Sequence, residues 1–303
     1  MGGGPQDRVA AVHVVRCEVA RQICEDGQVK RLVFLDVDGT LINENQEIPA
    51  SARDAIAEAI AAGHTLIICT GRAKPEIYPF LWELGFQGFI GCNGAYGELE
   101  GKQVFADFMP ASEVTELSDW LESHHAGWMW QGPNTLYPHS FFLDVFRTPE
   151  EEGGTPGDWT NFLKQIEPAL DWHRPERAFK LTFVFPHGSP VGMQDAMDEF
   201  GDRFCILPGS LAPTGFRDMS ELTAKGMSKA VGVKHFAEHM GIPLEDVIAF
   251  GDSANDREML EVVGHGIAMG NFKDGIDEVA SWITKPVNDG GLAHGFREMG
   301  LIG

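Results

Sequence analysis

Two carboxylates separated by one residue, in Asp36-Val37-Asp38-Gly39-Thr40, stand directly after the short apolar run Leu32-Val-Phe-Leu35. A third acidic group closes another apolar run, in Val247-Ile-Ala-Phe250-Gly251-Asp252-Ser253-Ala254-Asn255-Asp256. Between them in the text, Thr65-Leu-Ile-Ile-Cys69 ends in Thr70-Gly71-Arg72. An ionised carboxylate is a nucleophile toward phosphorus, and a second one two residues away can act first as acid and then as base. In that chemistry Asp36 attacks phosphorus, and Asp38 protonates the leaving alkoxide and then takes a proton from the hydrolytic water. Three carboxylates from Asp36, Asp38 and Asp252 cannot share a small space unaided. At about 4 Å and an effective dielectric near 20, each like-charge pair costs roughly 4 kcal/mol. Hard oxygen ligands of this kind suit Mg²⁺. The Thr70 hydroxyl, backbone N–H groups around Val37, Asp38 and Gly71, and one lysine would balance the remaining charge on a phosphoryl group. For the lysine the sequence offers Lys225 and Lys229.

These residues are useful only if the elements that carry them are neighbours. The apolar runs 32–35, 65–69 and 247–250 read as buried strands, and Ser51 to Ala62 as an Ala-rich helix closed by Gly63. Ser228 is placed to cap a helix running to Met240 with Gly241 as its stop, followed by a helix over Asp256 to Val263 and a strand over Gly266 to Met269. Strand, helix, strand in this rhythm implies right-handed βαβ units and a parallel sheet, with ligands outside the carboxyl ends of its strands. From about Gly97 to Ser220 the texture changes. A hairpin over Glu98 to Phe105, helices over Ser112–His125 and Pro190–Phe200, and strands over Trp128–Gln131 and Phe179–Phe185 read as an α+β insertion. The expected division is therefore a Rossmann-like α/β core over 31–96 and 221–303, with an inserted cap over 97–220. Glu150 to Gly157 is its expected flexible loop.

Charge narrows the partners. The chain of 303 residues carries 23 Lys+Arg and 45 Asp+Glu, a formal charge of −22. Such a field repels polynucleotides and anionic lipid, so no nucleic acid and no membrane are expected as partners. It also opposes a small phosphate ester, so local cations must reverse the potential at the site. Nothing approaches the run of about 20 apolar residues that a membrane helix needs. The five cysteines are scattered without a C-x-x-C pair, which fits a reducing, cytoplasmic setting. Residues 1–30 lack the apolar core of a signal peptide, because Val9 to Val15 is short and interrupted by His13. They read as an extension, disordered or helical around Val12 to Ile23, or as the product of an upstream start codon.

Taken together and in order, these motifs resemble the haloacid dehalogenase superfamily. Cys92-Asn93-Gly94-Ala95 and Ile267-Ala-Met269-Gly270-Asn271 are similar to its Cof-type branch, whose α/β cap follows the second motif. The resemblance covers essentially residues 31 to 295. It implies Asp36 as nucleophile and Mg²⁺ ligand, and Asp38 as acid/base with its backbone carbonyl on the metal. Asp252 is implied as the other protein ligand, with Asn255 and Asp256 in support. Thr70 and Gly71 are implied to bind phosphate, with Lys229 rather than Lys225 as the lysine. Arg72, Asn93 and Gly94 are expected on the substrate side. The activity implied is hydrolysis of a small phosphorylated metabolite, a sugar phosphate or a phosphorylated cofactor. A phosphomutase and a non-catalytic sugar-phosphate-binding regulator are the alternatives.

Other signals read more plainly. Trp128 and Trp130 share one face of a strand and are expected to pack the cap core. His124, His125 and His139 lack zinc-site spacing, and no nucleotide-binding loop is present. Substrate is expected where cap meets core, near Asn93 and the Trp128 region. Oligomeric state is not legible.

Overall fold

The computed structural model describes residues 30–149, 152, 154, 159–209, 216–273 and 275–303. The expected helix at Val12 to Ile23 and most of the expected loop at Glu150 to Gly157 lie outside the described residues. In chain order the strands are β1 (Leu32–Leu35), β2 (Thr65–Cys69), β3 (Gly88–Gly91), β4 (Tyr96–Leu99), β5 (Lys102–Ala106), β6 (Gly127–Gln131), β7 (Leu136–His139), β8 (Lys180–Pro186), β9 (Phe204–Pro208), β10 (Phe216–Ala224), β11 (Val247–Gly251), β12 (His265–Ala268) and β13 (Trp282–Ile283). They form an eight-stranded sheet ordered β13-β12-β11-β1-β2-β3-β4-β5 and a five-stranded sheet ordered β7-β6-β8-β10-β9.

In the larger sheet β13 through β3 are parallel, and only β4 and β5 turn antiparallel. Parallel strands covered on both faces need apolar side chains on both, which is why β1 reads Leu-Val-Phe-Leu without alternation. Val33 and Leu35 pack with Ile56 of helix Ala50–Ala61 and Phe296 of helix Gly291–Glu298. Leu32 and Phe34 pack on the opposite side with Val233 and Phe236 of helix Lys229–Met240 and Leu260 of helix Arg257–Val262. The result is three layers, as the sequence implied. Gly241 stops its helix in the left-handed region at φ 66, a conformation open to glycine at little cost.

Sheet membership moves the boundary of the insertion. The hairpin β4–β5, expected in the cap, extends the larger sheet by pairing with β3. At the other end β10, through Ala224, belongs to the smaller sheet. Hydrogen bonding along the sheet edge outweighed the change in composition that had suggested Gly97. The smaller sheet buries Trp128, Trp130, Leu181, Phe183 and Phe185 against Val114, Leu117 and Leu121 of helix Ala111–Ser123 and Ala196 and Phe200 of helix Met193–Phe200. Its other face looks toward the carboxyl edge of the larger sheet. Among the described residues no helix is long and apolar enough to cross a membrane.

Candidate active site

β1 lies between β11 and β2, with Leu35 level with Phe250 and Ile68. The residues that follow these three strands must therefore emerge side by side, and Asp36 N–H donates to Phe250 O at 3.1 Å. Asp36, Asp252 and Asp256 offer oxygens within 4.8 Å of one another, the one such acidic group among the described residues. Lys229, at the start of its helix and with 0% exposure, enters from below. Its ammonium donates to Asp36 Oδ1 and to Asp256 Oδ1, each at 2.6 Å. Ser228, expected to cap this helix, instead donates its hydroxyl to Glu258 at 2.6 Å.

Asp256 has no oxygen to spare. Its Oδ2 accepts the backbone N–H groups of Asp252 and Ser253, both at 3.1 Å, and so fixes the loop that carries Asp252. Asp252 differs, because its buried Oδ1 has no hydrogen-bond partner. Gly39 lies against this carboxylate at φ 83, where any Cβ would collide with it. Glycine there is a steric requirement as well as a conformational one. Asn271, from the tail motif, braces the same turn by donating to Gly39 O at 2.8 Å and accepting Val287 N–H at 2.7 Å.

Asp38 points elsewhere. Its side chain is 50% exposed and receives a bidentate pair from Arg72, Nε to Oδ2 at 2.8 Å and Nη2 to Oδ1 at 2.7 Å. Arg72 in turn donates to Glu76 O at 3.0 Å and lies over the Tyr78 ring. Thr70 is buried, and its hydroxyl oxygen accepts Arg72 N–H at 3.2 Å.

Electrostatics separate the two first-motif carboxyls. Burial, and then the Asp256 carboxylate, push Asp36 well above the usual carboxylate range against the pull of Lys229. The same two causes push Asp252 up to about 7. Crowding by protein would also raise Asp38, but the Arg72 guanidinium outweighs it and holds that carboxyl below its ordinary value. Burial opposes the charge on Lys229, yet Asp256 and Asp36 raise its pKa above the usual lysine range. Once all three carboxyls are ionised, they leave two negative charges against the one ammonium at the base of the site.

Above lies a cavity of about 1400 Å³ between the two sheets. Asp36, Asp38, Thr70, Gly71, Arg72, Asp252 and Asn255 line its floor. Asn93 and Gly94, expected to touch substrate, are not among the lining residues. Asn93 instead bridges the floor to the roof, accepting from Asn255 at 3.2 Å and donating to Glu221 at 3.4 Å. Gly94, at φ 98, lets its loop approach Ser228 O, where a side chain would not fit. Trp128 and Trp130 face away from the cavity, as packing residues do. Met129 and Gln131, the alternate residues of the same strand, line it.

Sequence reasoning missed the roof. Lys180 donates to Gly71 O at 2.9 Å and pairs with Glu221 at 2.7 Å, and Gln131 donates to Glu76 at 3.2 Å. A lysine opening the apolar run Lys180-Leu-Thr-Phe-Val-Phe185 was the available signal, since buried lysines are rare unless paired.

The fold, the acidic cluster and the cavity over it define a hydrolase of the haloacid dehalogenase class. The sequence profile of the haloacid dehalogenase-like hydrolases matches residues 33–296, and the chain belongs to that family, in its Cof-type branch. Pyridoxal phosphate phosphatase YbhA of Escherichia coli (strain K12) is 31% identical over 250 residues, 81% of this chain and 90% of that one. YkrA of Bacillus subtilis (strain 168) is 29% identical over 274 residues, 90% of this chain and 98% of that one. The solved structure of BT4131, a sugar phosphatase of subclass IIB, shares the fold with a TM-score of 0.70 at 24% identity, over 90% of this chain and all of that one. The protein is a phosphatase.

Proposed function

We propose that this chain is a Mg²⁺-dependent phosphomonoester hydrolase that releases phosphate from a small phosphorylated metabolite through an aspartyl-phosphate on Asp36. The observation that carries the reading is the convergence of Asp36, Asp252 and Lys229 beneath the cavity. The donor set suits the ion. Two uncancelled negative charges match one divalent cation, all candidate ligands are hard oxygens, and the buried Asp252 Oδ1 lacks a partner. Asp36, Asp252 and the backbone carbonyl of Asp38 would hold Mg²⁺, which supplies charge neutralisation for the phosphoryl group.

The chain's own residues supply the rest. Lys229 fixes the Asp36 carboxylate by its Oδ1, leaving Oδ2 to form the bond to phosphorus as the ester bond breaks. Thr70 and the Gly71 backbone border the phosphoryl oxygens. Turned from Arg72 toward the leaving oxygen, Asp38 loses the guanidinium that keeps it ionised, takes up a proton from solvent, delivers it to that oxygen, and then accepts one from the water that splits the acyl phosphate. Asp256 acts through the Asp252 loop and Lys229, and Asn255 through Asn93. The roof, closed on the floor through Lys180, Gln131 and Asn93, keeps bulk water from the acyl phosphate.

Pyridoxal phosphate and sugar phosphates, named for two of the similar proteins, both fall within this substrate class. The chain's acidity argues against nucleic acid. Its described cysteines, Cys69, Cys92 and Cys205, are free thiols, which supports a cytoplasmic setting. Mg²⁺-dependent phosphate release from p-nitrophenyl phosphate tests the reading. Turnover that Asp36→Asn abolishes supports it, and turnover undiminished in that variant removes Asp36 as nucleophile.

A further inference from the structure

On the reading above, Thr70-Gly71-Arg72 borders the phosphoryl group, and the three carbonyls of this loop are held in two ways. Thr70 O accepts Asn93 N–H at 3.2 Å and Arg72 O accepts Cys92 N–H at 3.0 Å, both from the turn that follows β3. Gly71 O is held from the smaller sheet instead, by Lys180 Nζ at 2.9 Å, and no other donor reaches it among the described residues. Lys180 opens β8, is 2% exposed, and is oriented by Glu221 Oε2 at 2.7 Å. Two cations, Lys180 and Arg72, stand here among Asp38, Glu76 and Glu221. Arg72 is bound to Asp38 and Lys180 to Glu221, while Glu76 takes neutral donors, Ala73 N–H at 2.7 Å and the Gln131 amide at 3.2 Å.

An ammonium on a carbonyl does two things. It fixes which way the peptide faces, and it draws electron density to the oxygen, so the N–H of the same peptide becomes a better donor. The peptide here joins Gly71 to Arg72, and Arg72 N–H donates to Thr70 Oγ1 at 3.2 Å. That bond occupies a lone pair of the hydroxyl and leaves its hydrogen to be given elsewhere. Gly71 N–H has no acceptor among the described residues, and both Thr70 and Gly71 line the cavity. With glycine on one side, this peptide turns over easily when nothing holds it. Turned over, it would present an oxygen where donors are needed and withdraw Arg72 N–H from Thr70. The loop cannot be stiffened at residue 71 itself, because a Cβ there would stand 2.9 Å from Asn93 Oδ1.

We infer that Lys180 is a positioning residue for the phosphoryl group: from the smaller sheet it holds the Gly71–Arg72 peptide in the orientation that leaves the Gly71 N–H and the Thr70 hydroxyl as donors into the cavity. The inference rests on the phosphatase reading above. Lys180 does its work through the loop, so its removal should disable the donors that Thr70 and Gly71 supply and not merely loosen the roof.

The test measures the Kd of inorganic phosphate for the Mg²⁺-loaded protein by calorimetry, alongside kcat/KM for p-nitrophenyl phosphate. Lys180→Met is made together with Glu221→Gln, so that no carboxylate is left without its cation, and is compared with Glu221→Gln alone. Phosphate binding weakens by about tenfold or more, and kcat/KM falls by at least a similar factor. Thr70→Ala costs about tenfold on the Glu221→Gln reference but less than about threefold more once Lys180 is gone, since both changes disable one donor arrangement. Gln165, on helix Thr160–Ile166, ties the same two sheets' surroundings together away from the loop, its amide donating to Pro75 O and Ile77 O at 2.9 Å each. Gln165→Leu therefore reports what looser docking alone does, and phosphate binding there changes by less than about threefold. Phosphate affinity within about twofold of the reference after Lys180→Met overturns the inference. So does an equal loss in Gln165→Leu, or a Thr70→Ala penalty that is the same in both backgrounds. Any of these, with p-nitrophenyl phosphate still turned over by the wild type, overturns this inference alone. Absence of turnover in the wild type overturns the phosphatase reading and this inference with it.

Discussion

The floor and the roof of the cavity are built on opposite principles. The floor gathers charged groups at the ends of parallel strands, tightly paired except for the buried Asp252 Oδ1. Lys229 is shared between two aspartates, Asp256 is saturated, and the charge left over is the kind a divalent ion cancels. The roof is an antiparallel face whose cavity-lining residues include Met129, Gln131, Lys180, Thr182, Met219 and Glu221, and on which the buried Gln131 Oε1 has no partner. A floor of that kind fixes which bond is broken. On the reading proposed above the roof encloses the substrate and steadies the floor through Lys180, so changes to the floor and to the rest of the roof should separate chemistry from enclosure.

The sharpest way to break this division is Asp36→Asn. Its kcat for p-nitrophenyl phosphate should fall by at least about 10³-fold with folding intact, as seen by circular dichroism. Lys229→Met comes next, because it leaves Asp36 and Asp256 buried without their shared cation. A loss of about 3–5 kcal/mol in denaturant unfolding of the metal-free protein is expected.

On the roof the counterpart is Trp130→Ala. Trp130 is fully buried on the side away from the cavity and donates to Ser118 at 2.9 Å. Its loss should cost about 3–5 kcal/mol of stability. The kcat of the remaining folded enzyme for p-nitrophenyl phosphate should change by less than about threefold. A large drop there would mean that roof packing and floor chemistry are not separable.

The smallest effect has the less obvious sign. Asp252→Asn should lower turnover, yet stabilise the metal-free protein near pH 8 by about 1–3 kcal/mol. In the folded chain the Asp252 carboxyl is raised to about 7 by burial and Asp256, above the unfolded value near 3.9. The folded state therefore binds that proton more tightly. Its contribution is complete below about pH 4 and is lost as pH climbs toward 7. Thermal melts of both proteins across that range, without metal, should show the wild type losing stability more steeply on the way up than the variant, in which only Asp36 of this pair still carries a raised carboxyl.

The same contrast explains what could be read in the text. Asp36 and Thr70 follow an apolar run directly, and Asp38 and Asp252 come within three residues of one, so strand adjacency was enough to put all four at one sheet edge. Lys229 was chosen over Lys225 because the family resemblance implies a lysine that opens this helix. Gln131 and Glu221 gave no signal, and Lys180 only that of a lysine in an apolar run, because the three come from strands far apart in the chain and meet only through register. Asn93 was noticed as part of a motif, but its bridge from floor to roof was not legible. The motif marks a tight turn, and the side chain's partners, Asn255 and Glu221, come from distant segments. The hairpin β4–β5 was misassigned for a related reason. Alternation identifies a hairpin but does not say which sheet edge it will join.

The central claim is that phosphorus is transferred to one particular carboxylate before water receives it. Rapid acid quench of Mg²⁺-loaded enzyme with a turned-over phosphomonoester, followed by peptide mass spectrometry, examines it most directly. The account predicts the added mass of one phosphoryl group on Asp36 during turnover, and none on the same peptide of Asp36→Asn. Full phosphate release while Asp36 stays unmodified at every quench time would contradict it.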